Sequence, residues 1–555
     1  MAQAQQIGKP KVTRVPLMGA YSNRGSAATK DQRFVNIFPE TRKVEQLENT
    51  KIFLNKRPGL DLYKDFGTGE GRCAVYFNGK FYVVVGNTLW EDGVTPTSKA
   101  TLTASTGKVS IVQANSSTLG DYIFICDGTA GWIVDTTGTV TQITSTSIYN
   151  VTLDNGGTGY TPGTYAASFS GGGGSGAAAT YTVTGTTVAY ITISNYGTGY
   201  TSAPTVAFPL GGGSGASGTV TLNSFPSPHI PSATFIDGYI VLAKGSDVYT
   251  CDLDNPQRWS SNNFLSAEMF PDPVKAISRQ NNQVCVLGGN SIEFFYDAAN
   301  ASGSPLSRND STTIQMGTCA PHAVIGNEKY IFYLSQSDSG GRAAWLVDGF
   351  QPKKVSDEYI ERILDAETDM NQVSGFGLRT KGHLFYFVNL KSQGRTLVYD
   401  SDEKLWHEWS TNSAGSHTTF NCDHMADNST GSAYLLGSSD GILYKLNPDT
   451  NNDNGNQINL ELVTNKYDMD TYYRKFLSSV KIVGDRYASG NQITLQWTDD
   501  DYQTWSNEKT ITMTDDFPAF HRLGSFRRRA FRIKHTANHP LRLESLECVY
   551  TEGTS

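Results

Sequence analysis

Seven times along the 555 residues, a polar turn leads into a run of four or five mostly β-branched and aromatic residues. The clearest copy is Gly79-Lys-Phe-Tyr-Val-Val-Val-Gly-Asn-Thr-Leu-Trp90. Its run Phe81–Val85 breaks at Gly86-Asn87, and a second apolar stretch returns to Trp90. That is a strand, a tight turn and a returning strand. Six similar units begin at Leu119, Asp237, Asn281, Asn327, Lys381 and Thr430. Counted between units, the intervals are about 40–54 residues, except for one of 118 that shrinks to 42 when a Gly-rich block at 150–225 is set aside. A lone hairpin has no means of burying its apolar face, so repeats at this spacing must stack on one another. A closed ring of small sheets is the economical solution. The expected fold is all-β: a β-propeller of six to eight blades.

The rest of the composition agrees. Gly accounts for 55 residues, aromatics for 11%, and long Ser/Thr/Asn-rich joints separate the runs. Helical periodicity is almost absent; the clearest case is Ser356–Leu364, where Ser356 is the expected cap and Ile360, Ile363 and Leu364 share a face. The sequence contains no apolar run near 18 residues and no N-terminal hydrophobic signal core, so neither a membrane span nor conventional export is expected. Seven cysteines without a C-x-x-C pair read as reduced structural thiols. The net charge of −8 is uneven: residues 1–60 carry eleven Lys/Arg against four Asp/Glu. An acidic body is ill suited to wrapping nucleic acid. The basic first segment, with Arg33 and Arg57, suits an acidic protein partner or else a solvated tail.

Five segments follow. Residues 1–66 read as a polar arm and a few strands, 67–149 as the first blades, and 227–450 as the remaining blades. Block 150–226 holds two copies of one pattern, Asn155-Gly-Gly-Thr-Gly-Tyr-Thr161 and Asn195-Tyr-Gly-Thr-Gly-Tyr-Thr201, each followed by a Gly-rich loop. It reads as an inserted two-repeat β module projecting from one propeller face. Its near-neutral surface makes Tyr160 and Tyr200 candidate distal contacts, the alternative being an inert spacer. Residues 451–555 read as a β-sandwich platform, with strands at Leu460–Val463, Val480–Val483, Ile493–Trp497, Phe531–Ile533 and Leu541–Leu546. Ring closure brings chain ends together, so segments 1–66 and 455–555 are expected to pack as one platform.

Motifs that could carry chemistry dissolve on inspection. Gly437-Ser-Ser-Asp-Gly441 sits between two strands, whereas a nucleophile elbow needs a following helix. Asp449-x-Asn451-x-Asp453 starts like a calcium loop but has Asn454 and Leu460 where Gly and Glu are required. His407-Glu408 has no second His at zinc spacing. Thr498-Asp-Asp-Asp-Tyr-Gln-Thr-Trp505 resembles a sialidase Asp-box, with Tyr502 in place of Gly, and reads as a turn held by Asp500 and Thr504. No catalytic, metal or cofactor residues are assigned, and no enzyme is expected. The strongest basic cluster is Arg527-Arg-Arg-Ala-Phe-Arg-Ile-Lys534. On a strand, Arg528, Arg532 and Lys534 oppose Phe531 and Ile533, giving a half-basic face for an acidic neighbour, DNA phosphate or solvent. Arg33, Arg57, Arg527, Arg528, Arg532 and Lys534 are therefore the candidate partner or subunit contacts.

Several stretches together resemble the tail hub, or nozzle, family of short-tailed bacteriophages, the packaged-DNA stabilisation proteins. They are Asp31-Gln-Arg-Phe-Val-Asn-Ile-Phe-Pro-Glu40, Pro58-Gly59-Leu60, Gly289–Tyr296, Gly317-Thr-Cys-Ala320, Gly349–Glu361 and, most specifically, Gln496–Glu508 with Arg522-Leu-Gly524 and Arg527–Arg532. The Asp499–Asp501 run with Tyr502 and the inserted module depart from that pattern. The resemblance implies a structural virion protein of the tail, assembled in the host cytoplasm. It implies a homohexameric ring below the portal and adaptor that continues the DNA channel, retains the packaged genome and passes it at ejection. Implied partners are further copies of the chain, the portal or adaptor, a fibre, spike or needle, and genomic DNA without sequence specificity. The alternative is a glycan-binding or sialidase-like glycan-cleaving propeller of a phage tail, which would need an Arg triad and several intact Asp-boxes.

Overall fold

The computed structural model describes residues 9–18, 32–42, 51–327, 329–337, 339–487, 490–514 and 518–553. Most of the arm expected at 1–30 lies outside them. Each of the seven apolar runs is the second strand of an antiparallel blade: Lys80–Val85, Gly120–Cys126, Tyr239–Lys244, Gln283–Leu287, Tyr330–Gln336, His383–Leu390 and Ala433–Gly437. These runs are apolar without alternation because both faces of each blade are covered. In blade 2, Ile123, Ile125, Trp132 and Val134 pack on blade 1, while Tyr122, Phe124, Cys126 and Ile133 pack on blade 3. The same partition repeats at every blade boundary.

The ring closes at seven blades among the described residues. The first strands run Gly71–Phe77, Ser110–Ser116, Thr234–Ile236, Ala276–Gln280, Ile325–Gly326, Ser374–Thr380 and Cys422–Asp427, and each neighbours the next around the axis. Cys422–Asp427 then meets Gly71–Phe77. Blade 7 takes three strands from its own stretch and its fourth, Gly59–Asp65, from the N-terminal side, antiparallel to Ile442–Asn447. The first segment of the chain therefore latches the last blade.

The Gly-rich block lies between blades 2 and 3. Ile148–Thr158 pairs with Ser214–Leu222, and Gly163–Ser170, Ser175–Thr184, Thr187–Thr198 and Thr205–Ala207 form a second sheet. The two copies clasp each other. Tyr160 of the first lies under Gly213 of the second, and Tyr200 of the second lies under Gly174 of the first. Thr161 N donates to Gly211 O and Thr201 N to Gly172 O, both at 2.8 Å. A Cβ on Gly213 would sit 2.2 Å from the Tyr160 ring, and one on Gly174 would sit 2.5 Å from Tyr200. The glycines are there because the loop backbones lie against aromatic faces.

Beside the propeller, Lys11–Pro16, Ile37–Arg42, Lys51–Lys56, Lys475–Gly484, Ala519–His521, Ser525–Phe526 and Arg542–Glu552 form one sheet. It packs through Leu54, Val480, Leu543 and Leu546 onto Phe34, Leu462, Leu495, Phe531 and Ile533 of a second sheet. That second sheet is continuous with blade 6, since Val35 pairs with Glu408 on Leu405–Ser413. The helix Glu358–Asp365 buries Ile360, Ile363 and Leu364 as expected. Its cap, however, is Asp357, which accepts from Ile360 N at 2.9 Å, because Ser356 Oγ is committed to Glu361.

Replacing Gly213 or Gly174 by Ala is expected to cost the module about 2–3 kcal/mol by overpacking. Hydrogen exchange should show lost protection over residues 148–222 with the blades unchanged.

Candidate assembly surface and the closed propeller axis

Residues 32–40, together with Arg57, tie the platform to the propeller. Asn36 adopts a left-handed backbone (φ 58°), which turns its side chain into the junction. Its Nδ2 donates to Ser410 Oγ at 2.9 Å and Asn459 O at 2.6 Å, and its Oδ1 accepts from Ser410 N and Arg57 Nε, both at 2.8 Å. The Arg57 guanidinium also donates to both oxygens of Asp453 (2.8 and 2.5 Å), to Ser410 O and to Pro58 O, and packs near the Trp409 and Phe420 rings. It is fully buried, with all five donors used. Arg57, expected at a partner surface, is thus an internal tie, and Asp453 of the abortive calcium motif is its counter-ion.

Arg33 behaves alike. Its Nε and Nη2 donate to the two oxygens of Glu408 at 3.0 and 2.8 Å, and Arg395 Nη2 reaches the same carboxylate at 2.5 Å. Burial alone would push the Glu408 carboxyl up, but the two guanidiniums hold it down to about 2. The adjacent His407 is a core residue, edge-on to Phe385 and near Phe38, and neither ring nitrogen has a hydrogen-bond partner among the described residues. Burial pushes its imidazole down to about 4.

The basic strand Ala530–His535 buries Phe531 and Ile533 in the platform core, as its alternation requires. Its cations are mostly matched from within. Arg528 pairs with Asp501 at 3.2 Å, Lys534 with Glu508 at 2.8 Å, and Arg532 stacks 3.9 Å from the Trp505 ring centre. Arg529 is buried and bidentate to Asp499 at 2.7 Å. The Asp499–Asp501 run is therefore the counter-charge of the arginine run, a pairing legible from opposite charge blocks at the ends of two apolar strands. Arg527 stays exposed, its Nη1 donating to Tyr472 O at 2.8 Å. Around it stand the most exposed aromatics of the platform, Tyr472 (69%), Tyr473 (53%) and Phe476 (50%).

Tyr160 and Tyr200, expected at a distal surface, are only 4% and 3% exposed, because each fills the opposite copy's glycine loop. The outward tyrosine of the module is Tyr190, at 56%. Asp500 accepts from Thr504 N and Gln503 N, so the single Asp-box-like stretch holds its own turn. Ser439 sits in the loop joining Ala433–Gly437 to Ile442–Asn447.

The propeller axis is not an open bore. Lys108, just before the first strand of blade 2, donates through Nζ to His322 O at 3.3 Å, just before the first strand of blade 5. Those blades stand three apart in a ring of seven, so this contact crosses the axis.

Acid sensitivity follows from the buried imidazoles. Burial drives His407 down to about 4 and His535 to about 3, so the folded chain keeps both neutral. The unfolded chain takes up protons below the ordinary His value of about 6.5. Stability is thus complete above that pH and falls as pH drops towards 4 and 3. The Asp400-paired His383, shifted upward, opposes part of this loss. Below about 4.3, the ordinary Glu value, protonation of the unfolded Glu408 carboxyl adds to the loss. Urea denaturation at pH 7.5, 5.5 and 4.5 should show this decline, with a shallower slope for His407→Leu. Glu408→Gln should lose about 3–5 kcal/mol at pH 7.5, because it strands two arginines.

Likeness to solved structures is slight. Virginiamycin B lyase from Staphylococcus aureus is 8% identical with a TM-score of 0.35, covering 69% of this chain and 97% of that one. The WD40 repeats of RRP9 are 9% identical with a TM-score of 0.34, covering 71% and 99%. No curated protein matches. Residues 175–451, from inside the module through the end of blade 7, match the family model Phage_stabilise, described as "Bacteriophage P22 Gp10, beta-propeller". The chain is a structural phage tail protein, and it belongs to that family of phage stabilisation proteins.

Proposed function

We propose that the chain is one subunit of a ring, of six copies, seated below the portal and adaptor of a short phage tail. The ring continues the DNA channel, retains the packaged genome and passes it outward at ejection. The family match over residues 175–451 carries this reading. Two physical features support it. With Lys108 reaching across the propeller axis, a duplex has no path through a single subunit, and a conduit must lie between copies. A net charge of −8 per chain favours a wall that repels phosphate and lets DNA slide. The portal or adaptor above, a fibre, spike or needle below, and DNA bound without sequence preference are the proposed partners.

A closed ring requires a heterologous interface. The exposed Tyr472, Tyr473 and Phe476 beside Arg527 supply an apolar centre with a charged rim, the composition such contacts use. Native mass spectrometry of the complex released from tails is expected to give about 360 kDa, six chains of 60.4 kDa. The double variant Tyr472→Asp, Tyr473→Asp should remain a folded monomer and fail to form that species. Recovery of only single chains from intact tails would contradict the ring.

A further inference from the structure

The seam between blades 4 and 5 opens at one end into a cleft of about 420 Å³, a size within the range of small-molecule sites. Blade 4 builds one wall from backbone. Ile292 and Ile314 exchange hydrogen bonds at 2.8 and 3.0 Å, and Thr318 N donates to Gly288 O at 2.8 Å. That clamp brings Asn290 and Gln315 to the same rim. A Cβ on Gly317 would lie 2.3 Å from Gly288 O, so only glycine lets the two segments touch. Across the cleft stand Ala343 and Trp345, on the same face of strand Arg342–Asp348 as Val347, which is buried in the core shared with blade 4. The helix Glu358–Asp365 closes a third side. Arg342 Nη1 donates to Leu364 O at 2.9 Å and Glu367 O at 2.6 Å, and Arg342 N donates to Asp365 Oδ1 at 2.8 Å. Main-chain bonds and buried packing thus hold all three walls, and the cleft is formed before any ligand arrives.

The groups that line it are largely uncommitted. The side-chain amides of Asn290, Gln315 and Gln336 and the indole N–H of Trp345 form no hydrogen bond among the described residues. Each amide offers donors and an acceptor together. Trp345 is only half-buried and stacks on no other ring among those residues. Charge around the cleft cancels, Arg342 and Lys354 standing against Glu361 and Asp365, with Lys354 already paired to Glu361 at 2.9 Å. A polyanion therefore finds no net attraction here. An apolar ligand would shut the amides away from water without partners. A neutral molecule with hydroxyls around its edge and a C–H face to lie on an indole satisfies both conditions. A sugar ring has that chemistry.

We propose that this cleft binds a neutral pyranose, with one face of the sugar on Trp345 and its hydroxyls held by Asn290, Gln315, Gln336, Arg342 and Asp365. The same chemistry is offered by a free saccharide and by one unit of a longer glycan. This binding is a second function, separate from the ring and its conduit.

Ligand-observed NMR titration of the full chain tests the site. Maltotriose, cellotriose, mannotriose and N-acetylchitotriose serve as neutral probes beside their methyl monosaccharides, and trigalacturonate is the charged control. Saturable binding of at least one neutral probe is expected, with trigalacturonate at least tenfold weaker. Saturation by a monosaccharide identifies a single-ring site, and saturation by a trisaccharide alone identifies a glycan site; the pyranose assignment holds in both cases. Trp345→Ala should lower the affinity at least tenfold. Should that variant not fold, the exposed pair Gln315→Ala, Gln336→Ala reads the same cleft and should weaken binding several-fold. No saturable binding by any neutral probe, tighter binding of trigalacturonate, or an unchanged affinity in a folded variant would overturn the proposal.

Discussion

A small sheet that is apolar on both faces cannot exist alone in water, and that constraint shapes the whole molecule. Each blade can bury its two faces only against two neighbours, so the series must run on until it meets its own beginning. Here it does so at the seventh blade, where Leu435 and Tyr444 pack back on blade 6 while Leu436, Leu443 and Tyr434 pack forward on Phe81 and Val83 of blade 1. The strand Gly59–Asp65 seals that seam. Because the latch comes from before the first blade, it commits the residues on either side of the ring to the same place. The platform is the consequence: both ends of the chain emerge together and share two sheets.

How the platform is held depends on buried charge. Arg57 and Arg33 would each be expensive to bury alone, since burial of an unpaired charge costs several kcal/mol. Each is instead met by a two-oxygen carboxylate, and Arg57 by carbonyls and an amide on every remaining donor. Such pairs add little net stability over a well-packed apolar core, but they require one geometry. Val35, Asn36 and Arg57 can meet Glu408, Ser410 and Asp453 in a single register, which fixes the angle of the platform to blade 6. In the proposed ring, that angle must be reproducible from copy to copy.

The blades were legible in the sequence because two-faced burial writes itself as unbroken apolar runs, at Tyr122–Cys126 and Tyr330–Leu334 alike. The platform strands were legible for the simpler reason that Phe531 and Ile533 alternate with Arg532 and Lys534. Side-chain destinations were harder. Nothing local tells Arg57 that Asp453, 396 residues away, is its partner, and a basic residue in a polar segment reads as surface. Tyr160 and Tyr200 misled for a related reason: in a neutral, glycine-rich block a tyrosine looks exposed, whereas the glycines were the lids over it. Ser356 lost the cap to Asp357 through a competing bond to Glu361 that only the fold creates. The Lys108–His322 contact across the axis belongs to ring geometry alone.

Whether the proposed conduit exists, and runs between subunits, is tested most directly by imaging intact virions at a resolution that resolves blades. Several copies are expected around the tail axis, with packaged DNA between them and every propeller axis off the DNA path. Density showing the duplex threading the centre of a propeller, or this chain placed away from the tail channel, would contradict it.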